Sequence, residues 1–123
     1  MTIPVLQASD LRRAYGKTKA LDGIDLTFEN GAFVALLGPA GAGKTTTLRL
    51  LAGLEVPDSG SVWIRGEDAT ALPPCNRDVA MIFDSIALYP NKTGYDNFAN
   101  PLRIQGMSRE QIASRVSEGA ATL

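Results

Sequence analysis

The sequence contains no histidine and only one cysteine, Cys75. Without an imidazole, Ser-His and Cys-His nucleophilic catalysis and any His-ligated metal are excluded from this segment. A single thiol forms neither an internal disulfide nor a cysteine-cluster metal site, so Cys75 reads as an incidental thiol in a reducing cytoplasm. No stretch approaches the ~20 apolar residues that span a bilayer. Residues 1–11 mix polar and apolar types and lack the charged-then-apolar layout of a secretion signal. Any membrane connection is therefore expected to run through a partner. Neither sign of charge is in excess: 12 Lys and Arg against 13 Asp and Glu leave a net charge of −1. That balance gives no electrostatic footprint for nucleic acid or for an anionic membrane. At 123 residues the chain is one domain at most, small for an α/β nucleotide-binding unit.

What is present centres on residues 33–54. An apolar run (Phe33 to Leu37) reads as a buried strand, Gly38 to Thr45 as a phosphate-binding loop, and Thr46 to Leu54 as a helix ending near Gly53. The loop fits G-x-x-x-x-G-K-[ST], with Gly38, Gly43, Lys44 and Thr45 in the fixed places. Glycines at 38, 41 and 43 let the main chain curl so that its N–H groups face a phosphate. The helix adds unpaired N-terminal N–H groups and the positive end of its dipole. Lys44 brings a mobile charge for the terminal phosphates, and the Thr45 hydroxyl is suited to Mg²⁺. A chance match in a chain of this size is roughly one in a few hundred.

Along the rest of the chain, Ile3–Ala8 and Leu21–Phe28 suggest strands separated by a polar turn, Arg12 to Lys19. In the helix, Leu48, Leu51 and Ala52 are expected on the buried face. Ser61–Arg65 suggests a strand with Trp63 half-buried, closed by Gly66, and Val79–Phe83 a parallel strand covered on both faces. Asp84 to Lys92 reads as a loop whose apolar residues either tuck onto a core or meet another protein. Thr93 is expected to cap a short helix, Tyr95 to Ala99, stopped by Pro101. Ser108 and Gln111 form a capping box opening a last helix with Ile112, Val116, Ala120 and Leu123 on one face. There is no internal repeat.

Taken in order, the strings Tyr15-Gly16, Leu36 to Arg49, Ala52 to Glu55 with Asp58-Ser59-Gly60, Arg77 to Phe83 and Ala87 to Pro90 resemble the nucleotide-binding subunit of ABC transporters, close to the carbohydrate-importer branch. The resemblance covers essentially the whole chain. It implies an α/β fold: a P-loop NTPase core with an N-terminal antiparallel β-layer (residues 1–94, through the Q-loop) and the start of a helical subdomain (95–123). It implies ATP and Mg²⁺ as cofactors, with Gly38, Pro39, Ala40, Gly41, Ala42, Gly43, Lys44, Thr45 and Thr46 holding phosphates and metal. Tyr15 stands where the family stacks an aromatic on adenine, which a flat apolar ring supports. The implied partners are membrane-spanning subunits met by the 84–92 loop, with Ile86, Leu88 and Tyr89 as contact surface, and a second ATPase subunit, the same or different. No nucleic acid partner is implied. The implied place is the cytoplasmic face of the cell membrane.

Two departures qualify what carries over. Asp84 occupies the position of the Q-loop glutamine. Its carboxylate is a hard oxygen donor for Mg²⁺ but cannot donate a hydrogen bond, and it adds negative charge near the γ-phosphate. Second, the family's signature segment, Walker B carboxylate, catalytic glutamate and switch histidine are expected beyond Leu123, so the chain resembles the N-terminal part of a transporter ATPase. Uncovered sheet edges then predict marginal stability in isolation. A non-catalytic nucleotide-binding module stays open beside the ATPase reading. A GTPase is disfavoured because Asn91-Lys92-Thr93-Gly94 lacks the Asp of a guanine-recognition motif.

Overall fold

The computed structural model describes residues 2–85 and 88–123, which form two compact units, Met1–Met81 and Ile82–Leu123. In the first, β1 (Leu6–Tyr15) and β2 (Thr18–Phe28) pair antiparallel from Leu6↔Phe28 to Tyr15↔Thr18. The polar turn expected over Arg12–Lys19 contracts to Gly16-Lys17, and the expected Ile3–Ala8 strand starts later and runs longer. Charged residues stay in these strands because they find cross-strand partners. Arg12 pairs with Asp22, directly opposite, at 2.6 Å, and with Asp10 at 2.8 Å. The two-residue periodicity also breaks at a bulge: Asp10 has φ 46°, and the register slips between Ala8 and Leu11. Buried positions therefore run Ala8 to Leu11 rather than Ala8 to Asp10, which hides the strand from a period-two reading.

Strand β3 (Ser59–Ile64) pairs with the other edge of β1, and a two-residue strand β4 (Glu67–Asp68) follows it, giving the antiparallel order β2-β1-β3-β4. Trp63 is 38% exposed, as expected, and its Nε1 donates to Ser61 Oγ at 2.9 Å. Helix α1 (Lys44–Ala52) lies on this sheet. Leu50 and Leu51 join Ala8, Leu11, Leu21 and Val62 in the core, with Leu6, Ile24, Leu26 and Phe28 packed around them. The buried face thus includes Leu50, whereas Leu48, expected inside, is 46% exposed.

The two apolar runs read as parallel strands are not strands here. Among the described residues neither Phe33–Leu37 nor Val79–Phe83 joins a ladder, and Phe33, Leu37 and Ile82 are 99%, 91% and 96% exposed. Apolar content sets a strand's preference for burial but supplies no neighbour. A ladder needs a second backbone, and these two runs do not pair with each other.

In the second unit, α2 (Gly94–Ile104) and α3 (Arg109–Thr122) enclose Ala99, Ile112 and Val116, with Leu102 and Met107 against them. Both predicted caps form: Thr93 Oγ1 accepts from the Asp96 N–H at 3.1 Å, and Ser108 with Gln111 closes a capping box. Pro101 does not stop α2 but sits inside it. The helix continues because Leu102 packs on the second core, and such packing outweighs a lost main-chain hydrogen bond. The stripe on α3 is buried only at Ile112 and Val116; Ala120 is exposed and Leu123 is 96% exposed. Of the loop residues assigned to partner contact, Leu88 and Tyr89 are exposed, and Ile86 and Ala87 lie outside the described residues. Because so much apolar surface stands uncovered, the 123-residue chain alone is expected to bind the dye ANS and to melt without a cooperative transition well above room temperature. A sharp calorimetric peak well above room temperature, with no dye binding, contradicts this.

Candidate functional site

The N-terminus of α1 begins where Gly43 turns left-handed at φ 90°. A Cβ at this position would lie 2.5 Å from the Ala20 carbonyl oxygen and 2.7 Å from Leu21 Cδ2, so β2 leaves room for glycine alone. The Ala42 N–H closes the preceding turn on the Pro39 carbonyl at 3.1 Å. Thr47, buried, locks the first turn: both its N–H and its hydroxyl donate to the Gly43 carbonyl at 2.8 Å. Among the described residues the N–H groups of Gly41, Gly43, Lys44, Thr45 and Thr46 have no hydrogen-bond partner. Five unpaired main-chain donors at the positive end of a helix are chemically suited to an anion.

Lys44 reaches back across the loop, its Nζ donating to the carbonyls of Gly38 at 2.5 Å and Pro39 at 2.7 Å. Two of its three N–H bonds are satisfied, and the third remains for a phosphate oxygen. Thr45 is exposed. Among the described residues no group of three or more Cys, Asp or Glu side chains could hold a metal. A hydroxyl such as that of Thr45 suits Mg²⁺, which takes few protein ligands and fills its shell with phosphate oxygens and water. Residues Gly38 to Thr46 form the turn before α1 and its first residues. Asp84 lies exposed in a bend of the second unit.

The other end of α1 is closed by Gly53, as expected, and held by Arg77, to which sequence reasoning gave no structural role. Gly53 (φ 79°) ends the helix in a Schellman turn, with Gly53 N–H donating to the Leu50 carbonyl and Leu54 N–H to that of Arg49. Its missing Cβ leaves space for Arg77, whose Nε would be 2.4 Å away. Arg77 is 3% exposed and forms no ion pair among the described residues. Its guanidinium donates to the carbonyls of Leu50 (2.9 Å), Leu51 (3.1 Å), Thr70 (3.1 Å) and Leu72 (2.8 Å). Burial lowers its pKa from the usual arginine value. The sequence signal was an arginine in the string Arg77-Asp78-Val79, just before an apolar run.

Tyr15, at the end of β1, is 45% exposed. Its hydroxyl donates to the Glu55 carboxylate, two residues past the Schellman glycine. The Arg13 guanidinium lies over the Tyr15 ring, 5.1 Å from its centroid, and pairs with Glu55 (3.3 Å) and Asp58 (3.0 Å). Arg49 of α1 reaches Glu55 at 3.4 Å. The Tyr15 hydroxyl, and after it Arg49 and Arg13, hold the Glu55 carboxyl below the ordinary carboxylate range. Asp58 is likewise lowered, first by the Ala14 N–H and then by Arg13.

Comparison with known proteins decides the family. A family model described as "ABC transporter" matches residues 21–122. The chain belongs to the ABC transporter family. It is 46% identical over 113 residues to the Fe(3+) ions import ATP-binding protein FbpC 1 of Haemophilus influenzae, covering 92% of this chain and 34% of that one. It is 44% identical over 115 residues to the spermidine/putrescine import ATP-binding protein PotA of the same species (94% and 31%). It is 46% identical over 118 residues to the alpha-glucoside transport ATP-binding protein AglK of Rhizobium meliloti (96% and 32%). The chain thus spans about a third of the length of these curated relatives. Among solved structures, it is similar to a nucleotide-free ATP-binding cassette from an ABC transporter, with TM-score 0.57 and 29% identity over 58% of this chain and 28% of that one. A cassette in its ADP conformation matches with TM-score 0.58 and 30% identity over 60% and 29%. The fold is accordingly α/β of the ABC ATPase type: an N-terminal antiparallel β-layer beside the P-loop and its helix, then the start of a helical subdomain.

The hold of Arg77 on α1 has a measurable size. Arg77→Lys keeps the charge but supplies three donors in place of a five-donor fork, leaving buried carbonyls unpaired. A loss of about 2–3 kcal/mol is expected, read as a lower urea midpoint at unchanged m-value.

Proposed function

We propose that this chain is the nucleotide-gripping part of an ATP-binding subunit that energises solute import through an ABC transporter. The observation that carries the reading is the set of five unpartnered N–H groups around Gly43, with Lys44 and Thr45 beside them. Gly38, Pro39, Ala40, Gly41, Ala42, Gly43, Lys44, Thr45 and Thr46 bind the phosphates of ATP, and Tyr15 offers its ring to adenine. Mg²⁺, held by Thr45 and phosphate oxygens, offsets phosphate charge. Residues 1–94 would form the β-layer and nucleotide core and 95–123 the opening of the helical subdomain.

Import is favoured because relatives at 44% and 46% identity are named as import ATP-binding proteins. Those names and that of the alpha-glucoside relative carry three different cargoes at nearly equal identity. Sugars are therefore one of three solute classes to test. No helix among the described residues is long and apolar enough to cross a membrane, which fits a peripheral subunit on the cytoplasmic side. Membrane-spanning subunits would meet the 84–92 loop, where Leu88 and Tyr89 are 64% and 54% exposed. A second ATPase subunit would complete each nucleotide site.

A second reading is a module that holds nucleotide without turnover, since the unpartnered N–H groups and Lys44 account for binding alone. Binding and hydrolysis of Mg·ATP on one preparation separate the two. Lys44→Ala is expected to weaken ATP binding about tenfold or more, through loss of a charge-assisted contact of the 1.5–3 kcal/mol class. Unchanged affinity overturns the assignment, and binding without turnover selects the module. Asp84 is assigned a role in hydrolysis or coupling. Asp84→Gln in an intact assembly should alter turnover, and an unchanged rate removes that role.

A further inference from the structure

Tyr15 is the one candidate nucleotide contact that no loop geometry fixes, since it ends a strand beside a two-residue turn. A free aromatic there would lose rotamer entropy whenever a base stacked on it. Three contacts prevent that. The hydroxyl is tied to Glu55, one ring face is occupied by Arg13, and Arg13 is itself held by Glu55 and Asp58. Glu55 is half-buried and makes contact with three side chains, Tyr15, Arg13 and Arg49. Its own position comes from α1, because the Schellman turn at Gly53 sets where the chain emerges. The Nε of Arg13 is buried without an aligned hydrogen bond, 3.3 Å from Glu55. Arg13 is thus wedged between the ring and the carboxylate.

We propose that Glu55 is a positioning residue, which holds the Tyr15 ring with one face free so that a purine base stacks on it at little entropic cost. This rests on the reading that Tyr15 meets the base. The helix that grips phosphates at its first turn would, through Glu55 just beyond its last, also set the platform for the base. One rigid element would then fix the spacing between both ends of the nucleotide. Phosphate-only ligands would not sense Glu55.

The test compares dissociation constants for Mg·ATP and for Mg·triphosphate without a base, the ratio reporting the base's contribution. Tyr15→Ala is expected to bring the ratio towards one. Tyr15→Phe, which keeps ring and backbone, and Glu55→Ala should each cut the ratio about three- to tenfold. The double variant should cut it no further, and triphosphate affinity should stay put. If Tyr15→Ala lowers the ratio but Tyr15→Phe and Glu55→Ala do not, Glu55 has no positioning role and the base reading survives. If Tyr15→Ala leaves the ratio unchanged, the base reading fails and takes the proposal with it. A parallel loss of triphosphate and ATP affinity in Glu55→Ala places its effect at the phosphate end and overturns the proposal.

Discussion

The buried guanidinium of Arg77 is the contact on which the first unit of this molecule depends. Its four acceptors are all main-chain carbonyls, and two of them, Leu50 and Leu51, lie in the last turn of α1, where the Leu50 carbonyl also accepts from the Gly53 N–H. A cation at a helix C-terminus also meets the negative end of the dipole. Burial without a carboxylate is costly in general, yet here all three nitrogens of the planar fork donate to an oxygen, four hydrogen bonds in all. The guanidinium joins the end of α1 to the 69–72 turn, and only a glycine at position 53 leaves room for it. A helix fixed at its last turn cannot swing at its first.

Both ends of α1 then become useful. At the start, the left-handed Gly43 and the doubled hydrogen bonds of Thr47 fix a first turn whose N–H groups are unpaired. At the finish, the Schellman turn delivers Glu55 to Tyr15, and the Arg13, Arg49 and Asp58 charges brace that contact. These ion pairs are partly exposed, so each alone contributes little to stability. Their value lies in geometry, since several partners share the ordering cost of one another's side chains.

Local chemistry was legible. The helix start after Gly43, the Gly53 stop, the Thr93 cap and the Ser108–Gln111 box each depend on residues within a few positions of one another, and each is present in the structure. Features that depend on distant chain were misread. The apolar runs at Phe33 and Val79 look like strands, but a strand exists only with a hydrogen-bonded neighbour. The bulge at Asp10 broke the alternation that would have revealed β1. Pro101 was read as a stop because its ring argues locally, whereas Leu102 argues through packing.

The sequence by itself determined the turn and helix start at Gly43, because a run of unpaired main-chain donors needs only glycines and a helix start in consecutive positions. Tertiary structure alone decided how that helix is held and what stands beside it. Arg77 meets α1 across 26 residues, and Glu55 meets Tyr15 across 40. Such pairings follow from how the chain folds back on itself, where burial and hydrogen-bond satisfaction choose partners that spacing along the chain does not encode.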